Sequence, residues 1–336
     1  MKALVLSAKN QPLAIEERAE LVPGPGEAIV RIRAAALNHR DLWIQKGQYA
    51  GLKYPIILGA DGAGIVSAVG ETSETGLPWI GREVIIDPAM DWGESQTHQN
   101  QKQFRILGLP DDGTFAEFVK VPVGALVEKP AHLSFEEAAA LPLAGVTAYR
   151  ALFTRARVRP NEKVLITGIG GGVALFALQY AVAAGARVYV TSGSESKLEK
   201  ALTLGAAGGV NYNNPNWGQR LQDLAGSFDV TIDGAAGDGM NELLNLASPG
   251  GRLVLYGATR GNPSELVARR IFWKQLNVLG STMGSPDDFQ DMIAFIRQHQ
   301  LKPVVDKIFP FTEGQKALER MDDAQQFGKI VIRLDA

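Results

Sequence analysis

The sequence predicts an α/β protein, with a doubly wound parallel sheet joined to a second, mainly-β domain. Three observations predict it. Residues 163–191, KVLITGIGGGVALFALQYAVAAGARVYVT, read as strand, glycine turn, helix and strand. After them, short apolar runs alternate with helix-length segments, as in a sheet covered by helices on both faces. Before them, residues 1–122 carry short runs broken by Gly and Pro, the punctuation of an all-β segment.

In that first segment, residues 2–6 form a strand that Gln11 and Pro12 close off, and Pro23, Gly24, Pro25 and Gly26 are a turn cluster. Over residues 28–34, Val30, Ile32 and Ala34 alternate with Arg31 and Arg33, so one face of the strand is wet. Strands recur at 62–70, 82–87 and 115–121, and the polar, Gln/Asn-rich residues 91–103 read as a loop. Residues 136–153 turn helical, with Pro142 marking a kink or a helix boundary.

In the central unit, Val164, Leu165 and Ile166 suit a strand buried on both faces. Gly168, Gly170, Gly171 and Gly172 follow at once. Residues 173–184 make a helix with little polar content, and Gly185 stands where a left-handed terminal residue belongs. So many glycines let the backbone approach a bulky ligand. The N–H groups opening the helix, with its dipole, then favour an anion. This is how a strand–helix–strand unit holds the diphosphate of a dinucleotide; a turn that merely packs a helix closely on the sheet is the alternative. Strands at 210–212, 230–232, 252–256 and 277–280 bring the sheet to about six, the usual number. Helices fill 197–204, 217–224, 240–246 and 266–275; a helix at 287–299 and a strand at 329–334 end the chain.

A chain of 336 residues suits two domains, and 46% apolar content is ordinary for a globular protein. A net charge of −2 gives no reason to expect nucleic acid or an anionic membrane as partner. The absence of cysteine excludes disulfides, thiolate metal sites and cysteine nucleophiles. No segment reaches the ~20 apolar residues of a membrane span, and the N-terminal apolar run is too short for a signal peptide. The expectation is a soluble, cytoplasmic protein.

Five stretches together carry a family resemblance: AAALNHRDLWIQKGQY (34–49), YPIILGADGAGIVSAVG (54–70), EEAAALPLAGVTAYRAL (136–152), the glycine turn, and GKIVIRL (328–334). Over essentially its whole length the chain resembles the medium-chain dehydrogenase/reductase superfamily, in its zinc-free, quinone-oxidoreductase-like (zeta-crystallin-like) branch. The family's turn commonly closes in GGVG; here Gly172 and Val173 precede Ala174, which that packing position tolerates. The resemblance implies a Rossmann domain over 123–285 and a discontinuous GroES-like catalytic domain from 1–122 and 286–336. It also implies an active site between the domains, and homodimers or homotetramers paired along the strand at 277–280.

Zinc-using members hold a catalytic metal on three side chains. At those positions this chain carries Asn38, Ala60 and Leu143, and the loop at 91–103 has no cysteine, so no metal is expected. A site selective for NAD places an acid about 20 residues beyond the turn, at the end of the second strand. By register that place falls at Ser192. Ser192, Gly193 and Ser194, with Lys197, suit a 2′-phosphate, so NADPH is expected. Alternatively, Ser192 and Glu195 form a capping box, Lys197 is a solvated charge, or Glu195 is the missing acid. The turn contributes Gly170, Gly171, Gly172 and Val173 to the cofactor. The resemblance adds Thr147 under the nicotinamide, Tyr212 at the adenosine end, and Tyr256, Gly257, Thr282, Gly328 and Lys329 along the cofactor cleft.

Without a Lewis acid, an activated acceptor is the easier substrate. In a quinone or an α,β-unsaturated carbonyl, hydride adds to the conjugated system, and hydrogen-bond donors stabilise the charge that spreads onto oxygen. Asn38, Asp41 and Tyr49 lie in the stretch that lines the cleft in relatives. Asn38 reads as a donor or a turn residue, Asp41 as a positioning group or a helix cap, and Tyr49 as a proton donor or packing. The lead expectation is an NADPH-dependent, zinc-independent reductase of small quinones or enones. A zinc-independent alcohol dehydrogenase or carbonyl reductase, and an NADPH-binding protein with little catalysis, are the rivals.

Overall fold

The structure, a computed structural model, describes residues 1–71 and 78–334. The chain divides into two compact units, Met1–Ala144 with Ser285–Ala336, and Gly145–Gly284.

The first unit is built on one mixed sheet. Its strands run in the order Leu126–Glu128, Glu83–Ile86, Asp61–Val69, Glu27–Ala36, Lys329–Arg333 and Val305–Pro310; Phe118–Pro122 adds a second partner to Glu27–Ala36. Ala36 lies opposite Asp61 on one side and opposite Val331 on the other. That register gathers Asn38, Asp61 and Lys329 at one end of the sheet. The alternation along Glu27–Ala36 sends Val30 and Ile32 inward, to pack with Leu37, Phe115 and Ile330, while Arg31 is exposed.

The expected boundary at residue 122 moves to 144. Leu126–Glu128 pairs antiparallel with Glu83–Ile86, and the helix Phe135–Ala139 lies against Glu27–Ala36 and Asp61–Val69. Pro142 does mark a boundary: it opens a new helix, Pro142–Tyr149, where its missing N–H goes unused. Several elements were not legible in the sequence, three of them with a plain reason. The helix His39–Gln45 is under two turns long, Val305–Pro310 is an edge strand with mixed polarity, and Gly314–Asp322 buries only Gly314, Ala317, Leu318 and Met321.

The second unit is a six-stranded parallel sheet, ordered Gly208–Asn211, Arg187–Ser192, Lys163–Ile166, Phe228–Asp233, Ala247–Leu255, Asn277–Gly280. This is the doubly wound order, with the reversal between the strands at 163 and 228, where such sheets bind ligands. The helix Gly172–Ala183 buries Leu175, Phe176, Leu178 and Tyr180, and Gly185 takes φ +80° just beyond it. The strand expected at 252–256 starts earlier, at Ala247, because a bulge opposite Phe228 and Val230 absorbs the extra residues. The helix expected over 266–275 shortens to Ala268–Trp273, with Gln275 in the left-handed region after it.

Phe228 is fully buried and meets the Tyr189 ring edge-on at 5.6 Å. Phe228→Ala should destabilise the second unit by about 3–5 kcal/mol. Urea unfolding would show this as a lower midpoint, and a loss under about 1 kcal/mol would contradict this packing.

Candidate active site

In the first unit, Asn38 is the N-cap of the helix His39–Gln45, and Asp41 is its N3 residue. The Asn38 N–H donates to Asp41 Oδ2 at 2.8 Å. So Asp41, expected as a positioning group or cap, is a cap, and it is fully buried. Its Oδ1 has no partner among the described residues. Burial lifts the Asp41 carboxyl to about 6, against the opposing pull of Arg40 and of the Asn38 N–H. The His39 imidazole is held below the ordinary histidine range, first by desolvation and then by the Lys329 ammonium.

The Asn38 side chain is tied at both ends. Its Nδ2 donates to Asp61 Oδ2 at 2.9 Å, and its Oδ1 accepts from Lys329 Nζ at 2.7 Å. Lys329 Nζ also donates to Asp61 Oδ2 at 2.8 Å and to the Leu37 carbonyl at 2.7 Å. Its three N–H bonds are therefore all engaged, which leaves none for the cofactor contact expected of Lys329. Asp61 Oδ1 accepts from the Leu143 N–H at 2.8 Å. Asp61 is 0% exposed, Lys329 4% and Asn38 7%, so the whole triad is buried. Asp61 was not expected at the site. The available signal was an acid inside the otherwise apolar run IILGADGAGIV.

Tyr49 is half-buried and packs on the core, with the Arg40 guanidinium 5.2 Å from its ring centroid. Arg40 is held by the Leu107 carbonyl at 2.7 Å. Gly328, at φ +122°, is needed structurally, since a Cβ there would lie 2.3 Å from the Val304 carbonyl oxygen.

In the second unit, the glycine turn sits at the carboxyl end of the central strand. Gly171 has φ −78° and ψ 156°, open to any residue, and a Cβ added there would meet no atom within 4 Å. Gly171 is also the N-cap of the helix that follows, and its outer face is open. A Cβ on Gly170 would lie 2.9 Å from Lys197 Cδ, so the Lys197 stem crosses the turn. Gly172 and Val173 open the helix.

Ser192 is the last residue of its strand, as the register expected. The capping box between Ser192 and Glu195 does not form. Ser194 is the N-cap, and Ser192 Oγ instead accepts the Ser194 N–H at 3.2 Å. Glu195 accepts from Asn211 Nδ2 at 2.9 Å. The Tyr212 phenol crosses Gly193, where a Cβ would lie 2.9 Å from it, and the Arg260 guanidinium sits 4.9 Å from the Tyr212 ring centroid. Tyr256 lies across Gly234, and its phenol is pushed up by burial and then by Asp233. A Cβ added to Gly257 would lie 2.9 Å from the Gly234 carbonyl oxygen. Thr147 is buried, with Oγ1 4.0 Å from Met283 Sδ, and Thr282 is exposed.

Two family descriptions match the chain: "Alcohol dehydrogenase GroES-like domain" over residues 24–131 and "Zinc-binding dehydrogenase" over residues 172–298. The zinc-type alcohol dehydrogenase-like protein YogA of Leptosphaeria maculans is 34% identical, over 96% of this chain and 95% of that protein. The chain belongs to the medium-chain dehydrogenase/reductase superfamily. The acryloyl-coenzyme A reductase of Metallosphaera sedula is another member, 31% identical over 99% of both chains. The crystal structure of an NAD-dependent alcohol dehydrogenase superimposes with a TM-score of 0.93 at 37% identity, covering all of both chains. The protein is thus an oxidoreductase of a superfamily whose dehydrogenases use nicotinamide cofactors.

Within this superfamily, the zinc in the second description falls on positions this chain fills otherwise. Asn38 is occupied by Lys329 and Asp61, Ala60 is apolar, and Leu143 contributes only its backbone N–H. The matched residues 172–298 include none of the three. Among the described residues no three His, Asp or Glu side chains gather as a metal site. His98 engages Ser95 and Thr97, and His132 the Leu301 carbonyl. The residues present do not fit a catalytic zinc.

The Asp41 carboxyl gives a pH signature. Its folded-state value lies above the unfolded one, so folding takes up a proton between about pH 4 and 6, and stability falls as pH rises through that window. Relative to Asp41→Asn, the wild type should lose up to about 3 kcal/mol across it. Parallel denaturation curves at pH 4 and pH 7 measure the difference; a constant gap would show that Asp41 titrates normally.

Proposed function

We propose that this protein is an NADPH-dependent, zinc-independent reductase that delivers hydride to a quinone or an α,β-unsaturated carbonyl. The open face of the glycine turn carries the proposal: the space before Gly171 suits the close approach of a diphosphate. The bound cofactor supplies the hydride. The chain's own residues hold it and prepare the acceptor. Gly170, Gly171, Gly172 and Val173 present N–H groups to the diphosphate. Ser192, Gly193, Ser194 and Lys197 receive a 2′-phosphate, while Glu195 accepts from Asn211. Tyr212, Thr147, Tyr256, Gly257 and Thr282 complete the cofactor's surroundings.

On the substrate side, Asn38 donates to the carbonyl oxygen as charge develops there. Asp41 anchors the backbone beneath it, and Tyr49 walls the site. With no metal to polarise a simple ketone, a conjugated acceptor is favoured. The relative named acryloyl-coenzyme A reductase acts on such an acceptor. The relative named NAD-dependent alcohol dehydrogenase supports a second reading, oxidation of a simple alcohol without metal. The assembly is a homodimer or homotetramer in the cytoplasm, paired along the edge strand Asn277–Gly280, where Val278 is exposed and Phe272 and Trp273 nearby are 66% and 74% exposed.

Calorimetry should give tighter binding for NADPH than for NADH, and Lys197→Ala should weaken NADPH far more than NADH. Tighter NADH binding would refute the cofactor assignment. Gly171→Val should leave the melting temperature within about 2 °C, because its backbone geometry and the space suit any residue, yet abolish binding of both nucleotides. NADPH oxidation with a quinone, an enone, a ketone and an aldehyde should be fastest with the first two, and turnover on none of them would leave a binding protein only. Tyr49→Phe should keep kcat/KM within about twofold, as a wall residue would.

A further inference from the structure

Asn38 carries an amide whose two ends differ by one atom, and a site that stabilises a developing oxyanion needs the N–H end outward. Left alone, such an amide can turn over and present its carbonyl, which repels an oxyanion. Here its surroundings permit one orientation. Lys329 can only donate, and its Nζ lies 2.7 Å from Asn38 Oδ1. Asp61, as a carboxylate, can only accept, and its Oδ2 lies 2.9 Å from Asn38 Nδ2. Lys329 and Asp61 fix each other at 2.8 Å, and the Leu143 N–H holds the far carboxylate oxygen. Nδ2 has two hydrogens and Asp61 takes one.

We propose that the buried Lys329–Asp61 pair is a positioning device that makes Asn38 a one-way hydrogen-bond donor, keeping the remaining N–H for the carbonyl oxygen of the acceptor. The proposal rests on the reductase reading above and adds its polarity. As hydride reaches the β-carbon, the C=C electrons move onto oxygen, and the resulting enolate accepts the Asn38 N–H until solvent protonates the α-carbon. The Lys329 charge also polarises the amide through Oδ1, which strengthens that N–H as a donor. A positive charge thus serves at the first zinc position, without a metal and one amide removed from the substrate.

The test is a mutant cycle on single-turnover hydride transfer from NADPH to a simple enone, with NADPH affinity and melting temperature measured alongside. Asn38→Ala should slow transfer by about 100-fold. The double variant Lys329→Met with Asp61→Asn removes both charges together and frees the amide to turn over. It should lose at least about tenfold in rate, with NADPH affinity unchanged, whereas the same two changes made in the Asn38→Ala background should cost no more than about twofold. A rate equal to wild type in the double variant would overturn the proposal, and so would full additivity with Asn38→Ala. If the double variant melts too low to assay, Asn38→Leu, close in size, takes away both amide hydrogens without setting a second carboxylate beside Asp61. It should be as slow as Asn38→Ala, and a rate within fivefold of wild type would overturn the proposal. No transfer in wild type to any acceptor would sink the reductase reading itself, and the positioning role with it.

Discussion

The ion pair between Lys329 and Asp61 is the constraint on which the first unit depends. Burying two charges is favourable only when every remaining donor and acceptor finds a partner. Here they do: the ammonium meets three acceptors, and the two carboxylate oxygens meet Lys329, Asn38 and the Leu143 N–H. The pair fastens the C-terminal strand to segments 268 and 291 positions earlier in the chain. It works only because Glu27–Ala36 carries Asp61–Val69 on one side and Lys329–Arg333 on the other, so the sheet register sets the chemistry.

The glycine turn works by the opposite means. Its contribution is backbone geometry and empty space rather than charged side chains. The doubly wound strand order brings the turn to the point where the sheet reverses. Around it, contacts fix the ends of neighbouring strands: the Ile169 N–H bonds the Thr191 carbonyl at 2.8 Å, and Asp233 accepts the Ala236 N–H at 2.8 Å.

Superfamily membership and the absence of zinc ligands are compatible. The nucleotide unit matches a description that names zinc, while a metal at the three catalytic positions would need side chains from the other unit that this chain lacks. At the first of those positions Asn38 is tied to Lys329 and Asp61.

The sequence by itself determined the strand–turn–helix–strand unit, the parallel sheet, the mainly-β segment and the family. Each rests on local signals: apolar runs of the right length, glycines in a row, Gly185 past a helix. It also placed Ser192 at a strand end, because register counts along a single segment. It could not distinguish a cap from a ligand at Asn38 and Asp41, since a capping box and a binding site use the same residue types. It did not find Asp61, and it sent Lys329 to the cofactor. Only the tertiary structure decided these points, because the partners of a buried charge are chosen by strand pairing between segments hundreds of residues apart, and no local pattern encodes that pairing.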